Sequence, residues 1–221
     1  QVGALPGHPA VAEERQLLAQ VKSLHARSQH KIGADRVLTA IREHAHLSDE
    51  QRAAIQHITA TSGAIKVVSG MAGTGKSTML KAARELWEKN GCTVIGAALS
   101  GKAAQGLEES AGIRSTTLAQ TLHDLGLPLF GLEVRYRRLA PRAPRWSPLH
   151  DVKLPYLAFK GDAISLTKRT ILVVDEAGMV GTRTMKTLAD AVAAAGAKLV
   201  LVGDARQLQP IEAGGPFKAI A

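Results

Sequence analysis

Residues 64–78 read AIKVVSGMAGTGKST: a short apolar run, a glycine-rich stretch, then a lysine and two hydroxyls. The next residues, MLKAARELWEKNG (79–91), have the composition and spacing of a helix. Gly70 is followed by four residues and then by Gly75, Lys76 and Ser77. Between a strand and a helix, this is the phosphate-loop pattern. Glycines let the backbone approach an anion closely. Successive N–H groups then point at phosphate oxygens, and the helix adds its positive N-terminal end. Gly70, Ala72, Gly73, Thr74, Gly75, Lys76, Ser77 and Thr78 are therefore expected to hold a nucleoside triphosphate. Lys76 would reach the β- and γ-phosphates and Ser77 would ligate Mg²⁺.

The flanking rhythm sets the fold class. Strands are expected at AIKVVS (64–69), TVIGAA (93–98), TILVVD (170–175) and KLVLVG (198–203). Helices are expected at 77–89, 102–110, 116–125 and 182–195. Near-continuous apolar strands alternating with helices predict an α/β fold: a mostly parallel sheet covered on both faces. Upstream, helices are expected at about 11–28 and 35–44. Another is expected from Ser48, with Gln51 three residues later completing a capping box. Residues 1–10, with two prolines and two glycines, are expected to be disordered.

The chain has 221 residues, 45% hydrophobic and 21% charged, which suits a globular protein. Its one cysteine, Cys92, excludes an intrachain disulfide and fits a reducing, cytoplasmic setting. No apolar run approaches a membrane span, so no membrane partner is expected. The net charge is +9, and residues 131–169 hold nine Lys and Arg against three acids. Tyr136, Trp146, Tyr156 and Phe159 lie among them. Basic groups interleaved with aromatics suit single-stranded nucleic acid, and equally suit a solvated insertion with a small local core.

A phosphate loop needs a metal-side carboxylate and a group that positions water. Asp175 and Glu176 stand at the carboxyl end of an apolar strand, where ligands of open α/β sheets bind. Asp175 is expected to hold Mg²⁺, and Glu176 to orient and deprotonate the attacking water. Gln207, beyond the last strand, is expected to contact a γ-phosphate or that water.

These residues carry a resemblance. GMAGTGKST (70–78), VVDEAGMV (173–180) and LVGDARQLQPIEAGGPF (201–217) resemble motifs I, II and III of superfamily 1 DNA helicases. The similarity is closest to the RecD-like branch and, within it, to the helicase part of TraA-type conjugative-transfer relaxases. LSDEQRAAI (47–55) resembles the Q motif, which implies that Gln51 reads adenine. AALSGKAAQGL (97–107) and STTLAQTL (115–122) resemble motifs Ia and Ib. That implies DNA-backbone contacts from Ser100, Lys102, Thr116 and Thr117, with Arg206 linking nucleotide state to DNA grip.

The resemblance implies a RecA-like ATPase domain over 47–221, after an N-terminal helical extension (1–46) and with an inserted subdomain or hairpin at 128–165. The implied cofactors are ATP and Mg²⁺, and the implied polymer is single-stranded DNA. Such helicases bind ATP between two RecA-like domains, the second supplying motifs IV to VI and an arginine. The sequence stops just after the motif III match, so this second domain is expected to be a partner outside the chain. Two functions stay open: an ATP-driven helicase motor domain, or a nucleic-acid-binding module whose nucleotide site binds without hydrolysing.

Overall fold

In the computed structural model, residues 9–71, 73–128, 164–204 and 216–220 are described. Residues 1–8 of the stretch expected to be disordered and most of the insertion expected at 128–165 lie outside them, as do Ala72, Arg206 and Gln207, whereas Pro9 and Ala10, also expected to be disordered, begin a helix.

Five parallel strands form one sheet in the order β1-β5-β4-β2-β3. They are β1 (Ile65–Ser69), β2 (Thr93–Ala98), β3 (Ser115–Thr117), β4 (Thr170–Val174) and β5 (Lys198–Gly203). Three helices precede the sheet: α1 (Pro9–His25), α2 (Ala34–Glu43) and α3 (Asp49–Ala60). The strands alternate with α4 (Lys76–Lys89), α5 (Gly101–Ala111), α6 (Leu118–Asp124) and α7 (Thr182–Ala195), and α8 (Pro216–Ile220) comes last.

Every residue of β4 and β5 is buried. Alternate side chains leave a strand on opposite faces, so each strand supplies two cores. Leu172, Val174, Leu199 and Leu201 pack on one face with Leu17, Val21 and Leu24 of α1 and Met185 and Leu188 of α7. Ile171, Val173, Val200 and Val202 pack on the other with residues of α2, α3, α4 and α5. Helix α1 thus shares a core with the sheet, and Arg183 Nε holds both Glu13 carboxylate oxygens at 2.9 Å.

Local signals set most boundaries. Ser48 accepts from Gln51 N while the Gln51 side chain accepts from Ser48 N, the complete capping box. Gly112 and Gly196 end α5 and α7 in the left-handed conformation. One element differs from expectation. Ser115–Thr117, expected to begin a helix, is a strand pairing with Gly96–Ala98 of β2. Its two threonines favour extended backbone, and Thr117 then caps α6 by accepting from Gln120 N.

Lys198 opens β5 with no exposure at all. Burial, then the charge of Lys66, pushes its ammonium down from 10.5 to about 7. The unfolded chain keeps that proton up to about 10.5, so between these values it binds more protons than the fold. The contribution of this group to stability therefore rises with pH across this window. In chloride-free buffer, Lys198→Met should stabilise the fold near pH 7 by up to about 4 kcal/mol and flatten the rise. Urea unfolding across the window checks this; an equal pH slope in the variant contradicts it.

Candidate nucleotide site

The carboxyl ends of β1, β4 and β5 bring the sequence-predicted residues to one edge. The loop after β1 has no side chain at the positions where the backbone turns hardest. Gly73 and Gly75 have φ 80° and 73°, a region open chiefly to glycine. Lys76 begins α4 and folds back on the loop, its Nζ donating to Gly70 O at 2.6 Å and Met71 O at 2.9 Å. The Thr74 hydroxyl also donates to Met71 O, at 2.9 Å. Ser77 and Thr78 sit half-buried in the first turn of α4, beside the positive end of the helix.

Gln51 does more here than the capping box requires. Its Nε2 donates to Thr74 O and Gly75 O, each at 3.2 Å, while its oxygen accepts from Ser48 N at 3.0 Å. One side chain therefore fastens the start of α3 to the nucleotide loop. Sequence reasoning reached Gln51 by its cap and by resemblance, not by this clamp. A Cβ on Gly75 would overlap Gln51 Nε2, so the glycine leaves room for this clamp.

Asp175 continues the pairing of β4 with β2, donating its N–H to Ala97 O at 2.9 Å. Its Oδ1 accepts from Glu176 N at 2.9 Å. Glu176 is left-handed, with φ 54°, a strained state for glutamate. Burial first, and the Asp175 charge second, raise its carboxyl above the ordinary 4.5. That shift suits a group that must accept a proton.

The loops are pressed together by missing side chains. Gly70 N donates to Gly203 O at 3.0 Å, tying the phosphate loop to the end of β5. A Cβ on Gly203 would lie 3.0 Å from Gly178 N and 3.2 Å from the Phe217 ring. Gly178 follows the acid pair in the short turn Ala177–Met179, so the three loops are in contact. Sequence reasoning missed these contacts, although Gly178 and Gly203 were part of the motifs quoted. Met71 and Met179 stand exposed at the same edge.

The residues fit a magnesium-bound triphosphate. A hydroxyl, a carboxylate and the substrate's phosphates are the oxygen donors that Mg²⁺ uses. Among the described residues no group of three or more His, Cys, Asp or Glu converges, so no all-protein metal cage competes.

The expected DNA contacts line the carboxyl ends of β2 and β3. Lys102 is exposed in the first turn of α5. Ser100 Oγ accepts from Ala103 N at 3.1 Å, Thr117 Oγ1 from Gln120 N at 3.1 Å, and Thr116 Oγ1 shares a hydrogen bond with Thr121 Oγ1 at 2.9 Å. These hydroxyls have structural partners already.

A phosphate loop and an acid pair at the carboxyl edge of a parallel sheet define a RecA-like P-loop α/β domain. Residues 46–221 match the AAA domain family, and the chain belongs to it. It is a RecD-like helicase domain close to the TraA relaxases. It is 43% identical over 198 residues to the probable conjugal transfer protein TraA of Sinorhizobium fredii, covering 90% of this chain and 15% of that protein. The conjugal transfer protein TraA of Rhizobium radiobacter is 46% identical over 180 residues, 81% of this chain and 13% of that protein. The ATP-dependent RecD2 DNA helicase of Deinococcus radiodurans is 33% identical over 175 residues, 79% of this chain and 20% of that protein. The chain thus spans a fifth or less of each of these relatives.

Gly75→Ala should weaken nucleotide binding by roughly 5–30-fold, the equivalent of left-handed strain of about 1–2 kcal/mol, with the Gln51 amide displaced from the overlap. In a Gln51→Ala background the overlap is gone and the strain remains, so the double variant should still bind more weakly than Gln51→Ala alone. Titration with a fluorescent ATP analogue checks this; equal binding by these two would mean that backbone conformation does not matter here.

Proposed function

We propose that this chain is the ATP-binding motor domain of a DNA helicase, within a conjugative-transfer relaxase-helicase. It would hydrolyse ATP to move on single-stranded DNA when joined to a second RecA-like domain, and would act in the cytoplasm. The observation that carries this reading is the convergence of Lys76, Ser77, Asp175 and Glu176 at one sheet edge, locked by the Gly70–Gly203 hydrogen bond. Similarity to a protein named as an ATP-dependent DNA helicase supports it.

The geometry above supports the roles given to the described residues, and the motif resemblance alone supports those of Arg206, Gln207 and the inserted segment. Incoming phosphates would draw the Lys76 ammonium off the Gly70 and Met71 carbonyls and take the loop N–H groups. Magnesium would offset the phosphate charge, with Ser77 and Asp175 as its protein ligands. Glu176, with a raised affinity for protons, would orient water and accept its proton. Gln207 would complete the contact to the γ-phosphate. Ser100, Lys102, Thr116, Thr117 and Arg206 would meet the DNA backbone. The inserted segment 128–165 would guide or separate strands, and 1–46 would act as a helical extension of the ATPase domain.

Gln51 offers one spare lone pair, because both its amide hydrogens already point at loop carbonyls. Reading the adenine N6 and N7 together would require the amide to leave Thr74 and Gly75. Adenine recognition would then be coupled to release of the loop. Gln51→Ala should lower ATP affinity much more than GTP affinity; equal losses would reduce Gln51 to a clamp.

ATP turnover should be measured for this chain with and without single-stranded DNA, beside Lys76→Ala and Glu176→Gln. Lys76→Ala should lose nucleotide binding, and Glu176→Gln should bind nucleotide without turning it over. The isolated chain should turn over slowly, because a transition-state arginine from a second domain is worth about 10³–10⁵ in rate. Joined to that domain, it should respond to DNA, with an acid limb above the ordinary glutamate range. DNA binding indifferent to nucleotide would favour instead a nucleic-acid-binding module with a silent nucleotide site.

A further inference from the structure

The sheet edge away from the nucleotide loop gathers cations without acids. Lys66 pairs with Val200, and Lys198 stands two residues before Val200, so both lysines leave the sheet on the face covered by α2 to α5. Lys66 is 5% exposed and Lys198 0%. Lys66 Nζ donates to the Thr61 hydroxyl at 2.5 Å. Lys198 Nζ is buried without a partner.

His30 completes the cluster. It is held in the left-handed region at φ 65°, and its Nε2 bonds to Lys168 O at 2.6 Å. Its Nδ1 is buried without a hydrogen bond of good geometry, although the Gln29 backbone lies near enough to favour the charged ring. With Nε2 donating, Nδ1 becomes a second donor once the ring is charged. His30 and Lys198 lie within electrostatic reach of each other.

The surrounding titratable groups are bases, save one thiol. His25 comes from α1, His57 from α3, Lys66 from β1, and Arg169 from the approach to β4. Cys92, before β2, also faces Lys198. Among the described residues no carboxylate acts on any member of the cluster. Burial lowers the proton affinity of His25, His30, His57 and Lys66 alike.

Buried amines without acceptors are costly, and buried positive charge without a counterion costs more. A bridging water could satisfy a hydrogen bond but would leave the charge unbalanced. A single anion does both. Full burial of Lys198 leaves no allowance for a large one. Thr61, the partner of Lys66, and His57 also line an open groove of about 460 Å³ between α2 and α3.

We propose that Lys66, Lys198 and His30 form a binding site for a small inorganic anion of halide size, chloride in solution. The anion would hold the Lys198 ammonium charged and tie β1 and β5 to the segment between α1 and α2. Uptake of the anion brings a proton, so affinity should fall about tenfold per pH unit above the Lys198 titration.

The test is the unfolding midpoint of the full chain titrated with chloride, with gluconate keeping ionic strength constant. A Lys76→Ala background removes the nucleotide-loop lysine. A saturable rise is expected, strongest near neutral pH, lost in Lys198→Met and weakened in Lys66→Gln. An equal response with Lys198→Met, or none in the parent, overturns the proposal. Bromide-soaked crystals give an answer independent of any variant. An anomalous peak beside Lys198 Nζ supports the site; an ordered water without anomalous signal there overturns it.

Discussion

Strands β4 and β5 have no polar face. Each is buried along its whole length, with alternate residues committed to two different cores. Polar chemistry therefore has nowhere to sit except at the strand ends. Asp175 and Glu176 follow the carboxyl end of β4, on the same side of the sheet as the glycine-rich loop after β1 and the start of α4. The hydrogen bond from Gly70 N to Gly203 O joins the outer strand to its neighbour where the loops begin. Remove that closure and the phosphate loop loses its fixed distance from the acid pair.

Strain is placed where function is expected. Among the described residues only Glu176 and His30 take a positive φ without being glycine. Glu176 sits beside the phosphate loop. His30 sits at the opposite edge, where Lys66 and Lys198 are buried. A left-handed non-glycine residue costs stability and persists only when its surroundings hold it. For Glu176 the holding group is Asp175, through the Glu176 N–H; for His30 it is the Lys168 carbonyl.

The helices before the sheet are part of the same packing problem. Leu17, Val21 and Leu24 of α1 fill one core, while Val37 and Ile41 of α2 fill the other. Both faces of a parallel sheet need cover, and these helices supply part of it on each side. Through α3 and Gln51, that cover also reaches the nucleotide loop.

The parallel α/β class, the phosphate loop, the acid pair and the cap at Ser48 were legible in the residues alone. Each is a local pattern: a glycine where φ must be positive, a hydroxyl where a helix starts, an unbroken apolar run where both faces are buried. The strand Ser115–Thr117 was not legible, because three polar residues become a strand only when β2 offers its edge. Nor was the second use of Gln51, the approach of Gly178 to Gly203, or the burial of Lys66 and Lys198 side by side. Local sequence determined which backbone each segment adopts and which chemistry it carries. Tertiary structure alone decided which distant groups meet, because hydrogen bonds and charges act over a few ångströms of space and not along the chain.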